Sequence, residues 1–135
     1  MSKIGILHPG EMGVSVAAAA INSGHQVYWA SEDRSEKTQA RAENYGLIAV
    51  HSVAEICQIC EIILSVCPPH AAEDVARAVI EHEFKGLYLD ANAIATRRTI
   101  KIVKLIEDAG MAFVDGAIIG GPAWTSGETW LYLSG

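Results

Sequence analysis

The hexapeptide His8-Pro9-Gly10-Glu11-Met12-Gly13 sets two glycines three residues apart, between an apolar run and an alanine-rich stretch. Glycine at 10 lets the backbone approach a bulky anion, and glycine at 13 lets a following helix pack tightly on a strand. The free N–H groups of that helix's first turn then face the anion. The spacing matches the last two glycines of G-x-G-x-x-G, with His8 where the first would stand. Histidine tolerates positive φ better than most residues, so the turn is permitted. Pro9 removes one N–H donor, and Glu11 is unfavourable beside phosphate and is expected to point to solvent. The competing reading is a plain strand-to-helix turn that binds nothing.

These residues need elements to hold them. Ile4-Gly5-Ile6-Leu7 reads as a strand, 11–23 as a helix ended by Gly24, and 26–30 as a second strand. A helix over 36–45, begun by Ser31, Asp33 or Ser35 and ended by Gly46, precedes a strand over 47–50. Next come a Ser52-capped helix to 59, a continuously apolar strand over 61–66, and a helix from Pro68-Pro69 to about 83. Strand 86–90, helix 96–109, strand 112–119 and strand 129–133 complete the chain. This alternation predicts an α/β fold: a doubly wound, mostly parallel, Rossmann-type sheet in a single domain over residues 1–135. Ligands of such sheets lie beyond the carboxyl ends of the strands, where strand order reverses. His8-Pro9-Gly10, residues 31–34, Cys67-Pro68-Pro69, Asn92 and Gly120-Gly121 each directly follow a predicted strand, so all of them gather at that edge.

The end of the second strand chooses the dinucleotide. An acid at its last position would bind a ribose 2′-hydroxyl and repel a 2′-phosphate. Ser31 stands there instead, able to donate to a phosphate, with Arg34 nearby as a charged fork. Glu32 and Asp33 pull the other way. The balance predicts NADP rather than NAD.

Ten basic and sixteen acidic residues, a net charge of −6, argue against a nonspecific nucleic-acid binder. A half-hydrophobic composition with four prolines excludes disorder. Residues 12–31 carry no Asp, Glu, Lys or Arg, but Asn22-Ser23-Gly24-His25-Gln26 interrupts them, and no membrane span or signal peptide is expected. The three cysteines read as reduced thiols of a cytoplasmic protein.

Ile6-Leu7-His8-Pro9-Gly10-Glu11-Met12-Gly13, Trp29-Ala30-Ser31 and Ser65-Val66-Cys67-Pro68-Pro69-His70 together resemble the β-hydroxyacid dehydrogenases, and within them a 6-phosphogluconate-dehydrogenase-like subgroup. The resemblance spans essentially the whole chain, as the amino-terminal NAD(P)-binding domain only. It implies hydride transfer between nicotinamide and a small hydroxy acid. It also implies a following helical domain, missing here, that brings a catalytic lysine and most of a homodimer contact. By the same resemblance Val66, Cys67 and Pro68 pass under the cofactor, Asn92 stands where a serine faces nicotinamide and substrate, and Gly120 and Gly121 offer amides to a small anionic substrate. Ile119 replaces a substrate-binding serine, which counts against a simple β-hydroxy acid. Gly120-Gly121-Pro122 also reads as a plain turn.

Other candidates have blander readings. Cys57 and Cys60 match C-x-x-C only by spacing, and read as buried structural cysteines; no metal site is expected. His70 reads as an exposed side chain, and Arg97, Arg98 and Lys101 as a solvated basic face, with contact to a substrate phosphate as the alternative. Lys3, Lys37, Lys85, Lys101 and Lys104 sit away from the carboxyl edge, so no catalytic residue is assigned and binding without turnover is expected. Two other classes stay open: a non-catalytic nucleotide-binding or regulatory domain, and a methyltransferase using S-adenosylmethionine, which His8-Pro9 and the second strand's end count against.

Overall fold

The computed structural model describes residues 2–7, 9–92, 95–119 and 130–134. Its strands are β1 (Lys3–Ile6), β2 (Gln26–Ala30), β3 (Ile48–Val50), β4 (Ile62–Ser65), β5 (Leu87–Asp90), β6 (Ala112–Ile119) and β7 (Trp130–Ser134). Its helices are α1 (Glu11–Asn22), α2 (Glu36–Asn44), α3 (Val53–Ile59), α4 (Ala72–Glu81) and α5 (Thr96–Asp108). The strands form one sheet in the order β3-β2-β1-β4-β5-β6-β7. All neighbours run parallel except β6 and β7, which are antiparallel with Asp115 opposite Ser134.

Parallel strands buried on both faces must be apolar on both, and the core splits accordingly. One cluster joins Ile56, Ala72, Val75, Ala76, Val79, Ile102 and Ile106 of α3, α4 and α5 to Ile63 and Tyr88 of the sheet. The other joins Val14 and Ala17 of α1 and Ala42 of α2 to Ile6, Val27, Trp29 and Leu64. Gly5 is needed for the first: a Cβ there would lie 2.6 Å from Ile56 Cγ2 and 3.2 Å from Cys60 Sγ. β1 and α3 thus approach over a bare backbone.

The expected doubly wound, mostly parallel sheet is present. One element differs in kind: Pro69–Ala71 is a 3₁₀ turn, and α4 starts only at Ala72. Proline suits the first turn of either helix type, so the sequence did not separate them. α4 also closes early, because Glu83 adopts φ 58°. No described helix is long and apolar enough to cross a membrane.

Candidate functional site

Between β1 and β4 the sheet order reverses, and there the two strand ends part. On one side α1 starts at Gly10, which caps it in an extended conformation (φ −74°, ψ −171°) with no side-chain hydrogen bond. The Gly10 carbonyl accepts from Val14 N–H at 2.8 Å, as a helix start requires. The amides of residues 11–13 precede that first helical bond and carry the positive end of a 12-residue helix. Nothing lies within 4 Å of where a Gly10 Cβ would be, so this face is open to an approaching group. Gly13 is buried under the turn, as expected.

Opposite lie residues 66–68, which follow β4. Gly10, Glu11, Met12, Gly13, Val66, Cys67 and Pro68 enclose a cavity of about 240 Å³. Seven residues singled out in the sequence thus share one crevice. Glu11 borders it too and is exposed, in keeping with the solvent-facing side chain expected of it.

Past Gly10 a second recess of about 180 Å³ is lined by Pro9, Gly10, Arg34, Thr38 and Arg41. Arg34 Nε is buried without a hydrogen-bond partner, an orphaned donor of the kind that a bound anion satisfies. Arg41 Nη1 donates to the Pro9 carbonyl at 3.4 Å, tying α2 to the turn. Ser35 caps α2 by accepting from Thr38 N–H at 3.2 Å. The Ser31 hydroxyl donates to the Val50 carbonyl at 3.1 Å, so its proton is committed within the fold, contrary to the donor role expected of it. Glu32 lies 3.8 Å from His51 Nε2 at the end of β3. Thr38 and Arg41 escaped sequence reasoning, although they lie three apart on one face of α2, just after Arg34.

Behind the crevice a buried polar cluster joins β4 to β5. Asn92 Oδ1 accepts from Cys67 N–H at 2.7 Å, and Asn92 Nδ2 donates to Ser65 Oγ at 2.9 Å. The Asn92 N–H donates to Asp90 Oδ1 at 2.9 Å. Ser65, Asp90 and Asn92 are all buried. Asn92 therefore stands beside the expected loop, yet both ends of its amide are engaged inside the protein. Asp90 Oδ2 and the Tyr88 hydroxyl are buried without partners. Burial raises the Asp90 carboxyl above its ordinary range against the Asn92 N–H, which lowers it, and Asp115 raises it further. Burial likewise raises the Cys67 thiol.

The remaining candidates stand apart. Burial pushes Cys57 up to about 11 and Cys60 up to about 12, the reverse of the acidified thiol that a redox pair needs. His70 is exposed on the 3₁₀ turn. Arg98 Nη2 donates to the Pro69 carbonyl at 2.8 Å and Lys101 lies 3.1 Å from Glu73, so these two basic residues tie α5 to the 3₁₀ turn and α4. His8, Gly120 and Gly121 lie outside the described residues.

An uncapped helix start, an open glycine face and an unsatisfied guanidinium along one crevice fit a dinucleotide. Comparison with known proteins agrees. The family described as "NADP oxidoreductase coenzyme F420-dependent" matches residues 3–93. An uncharacterized 28.5 kDa protein of Methanothermus fervidus is 30% identical over 118 residues, covering 87% of this chain and 45% of its own length. A conserved protein described as structurally similar to 3-hydroxyacid dehydrogenases superposes with a TM-score of 0.85 at 27% identity, over 97% of this chain and 49% of its own. The 3-hydroxyisobutyrate dehydrogenase of Mycobacterium tuberculosis, solved with L-serine, gives 0.83 at 21% over 100% and 47%. An imine reductase variant from Myxococcus stipitatus, solved with NAD+, gives 0.82 at 20% over 99% and 46%. The chain thus spans about half the length of the relatives it matches, and it has the nicotinamide-dinucleotide-binding fold of hydroxyacid-dehydrogenase-like proteins.

Proposed function

Given that the chain belongs to the family of NADP oxidoreductases described as coenzyme F420-dependent, we propose that it is the NADP-binding part of an oxidoreductase acting on a small hydroxy acid. One observation carries this reading. The 240 Å³ crevice at the switch point and the recess lined by Pro9, Arg34, Thr38 and Arg41 meet at Gly10, which lines both. Amides 11–13 would hold the diphosphate. The recess would hold the adenosine 2′-phosphate, Arg34 and Arg41 from two sides and Thr38 by its hydroxyl. Glu32 is not among the residues lining the recess and lies 3.8 Å from His51 Nε2.

A nicotinamide bound along residues 66–68 supplies a carbon that takes up or gives hydride. What this chain does is hold and orient it. Val66, Cys67 and Pro68 form a wall that excludes water from one side, and the buried Asn92 cluster keeps that wall in place. Among the described residues none lining either recess is a lysine, and these 135 residues are proposed to bind without turnover. The family description also names coenzyme F420, which makes it a second hydride partner to be tried.

Calorimetric titration with NADP and NAD tests the reading. NADP is expected to bind at least about tenfold tighter, in line with one charged hydrogen bond. Arg34→Ala and Arg41→Ala are each expected to narrow that gap without changing NAD affinity. NAD binding as tightly as NADP would overturn the cofactor choice.

A further inference from the structure

We infer that Asn92 is a positioning residue that turns the crevice's second wall into a surface without N–H donors at 67 and 68, acting through the peptide between Val66 and Cys67. The inference rests on the dinucleotide reading above and deepens it. The Asn92 amide bridges two strand ends: Oδ1 takes the Cys67 N–H at 2.7 Å, and Nδ2 reaches Ser65 Oγ at 2.9 Å. Its own N–H is anchored on Asp90 Oδ1 at 2.9 Å. Because Ser65, Asp90 and Asn92 are buried, bulk water does not compete for these bonds.

The described chain has no cis peptide bonds, and in a trans peptide the N–H and C=O point opposite ways. With the Cys67 N–H turned to Asn92, the Val66 carbonyl points away from Asn92. Pro68 has no N–H at all. The Asn92 bond thus withdraws the one donor this segment has at 67, and Pro68 adds none. The facing wall is the start of α1, whose first amides are uncapped. The crevice is therefore divided by polarity, with donors along α1 and a donor-poor, largely apolar wall opposite. A diphosphate is drawn to the α1 side. Ligand hydroxyl or amide N–H groups, which seek acceptors, suit the other. This division fixes which way round a dinucleotide lies. The resemblance implies a serine at this position. A serine hydroxyl ends closer to the backbone and is a single atom, so it does not span Cys67 N and Ser65 Oγ together.

Amide-resolved hydrogen exchange of the 14.4 kDa chain, with NADP titrations of the same samples, tests this. Asn92→Ser removes the bridge with little loss of bulk. Asn92→Asp keeps an oxygen for Cys67 N–H and a second one to which the Ser65 hydroxyl can turn. The expected result is a Cys67 amide exchanging about tenfold faster in Asn92→Ser, with NADP bound about tenfold more weakly at a temperature where melting curves show it folded. Asn92→Asp is expected to restore both to within about threefold of wild type. Two results would overturn the inference: a wild-type Cys67 amide exchanging like an exposed loop amide, or a folded Asn92→Ser chain binding NADP as tightly as wild type. Failure of the wild-type chain to bind either dinucleotide overturns the functional reading instead. The two failures are told apart because the exchange comparison needs no ligand.

Discussion

Asp90 is 2% exposed, with one oxygen accepting from Asn92 and the other unpartnered. Ionising a carboxyl there removes a charge from water with a single N–H in return, so its folded pKa lies above the ordinary 3.8. The native state consequently holds the proton longer than the unfolded one. Below the unfolded pKa both states are protonated and stability is complete. As pH climbs past it the unfolded chain ionises first, and stability falls until the raised folded pKa is passed. Asp90→Asn keeps the Oδ1 acceptor and carries no charge. Its melting temperature is expected to vary less with pH above about 4 than that of wild type, and at pH 7 to equal or exceed it. A drop of several degrees at pH 7 would show that the ionised carboxylate stabilises the fold. Residue-scale reading of the sequence had clear limits here. Glycines 10 and 13 stood out because an open backbone at a helix start and a side-chain-free contact one turn on call for glycine at that spacing. Asn92 could be singled out by its place after a strand, but not its hydrogen bonds, since its partners at 65 and 67 belong to β4 and the residues after it. Ser31 lies one residue past the end of β2, and its proton goes to Val50, a contact made only once β2 pairs with β3.

The elements were the most legible level. Short Ile/Leu/Val runs gave the parallel strands, and Ser35 and Ser52 started α2 and α3 as capping chemistry requires. What local sequence did not carry was the direction of β7 or the 3₁₀ turn at Pro69–Ala71. The first is set by pairing, the second by a fine choice between two helix types. α2 shows how an element serves the site. Ser35 accepts from Thr38 N–H, and the helix it starts carries Thr38 and Arg41 into the second recess. Ser35→Ala is expected to lower stability by about 1 kcal/mol, the usual worth of such a cap, or roughly 3 °C in a domain of this size. It should also weaken NADP more than NAD, because the frayed turn bears groups aimed at the extra phosphate. Equal loss for both dinucleotides in parallel titrations would separate α2 from cofactor choice.

For the whole molecule, a ligand that binds only the folded chain adds about 2.7 kcal/mol at a hundred times its dissociation constant. NADP is thus expected to raise the melting temperature by roughly 8 °C. Hydroxy acids with NADP should give no steady-state absorbance change at 340 nm, and sustained turnover by these 135 residues would refute the reading that they bind without catalysis. β1 has a further consequence. It stands between β2 and β4, with Ile4 beside both Val27 and Ile62. Its nearer neighbour follows soon in synthesis, the other only after α2, β3 and α3. Such a late, distant pairing is slow to close. Until it closes, residues 10–13 and 66–68 belong to separate halves and the crevice does not exist. Cofactor capture in a refolding experiment would therefore time the joining of the two halves, and half-assembled chains would go unseen by the ligand.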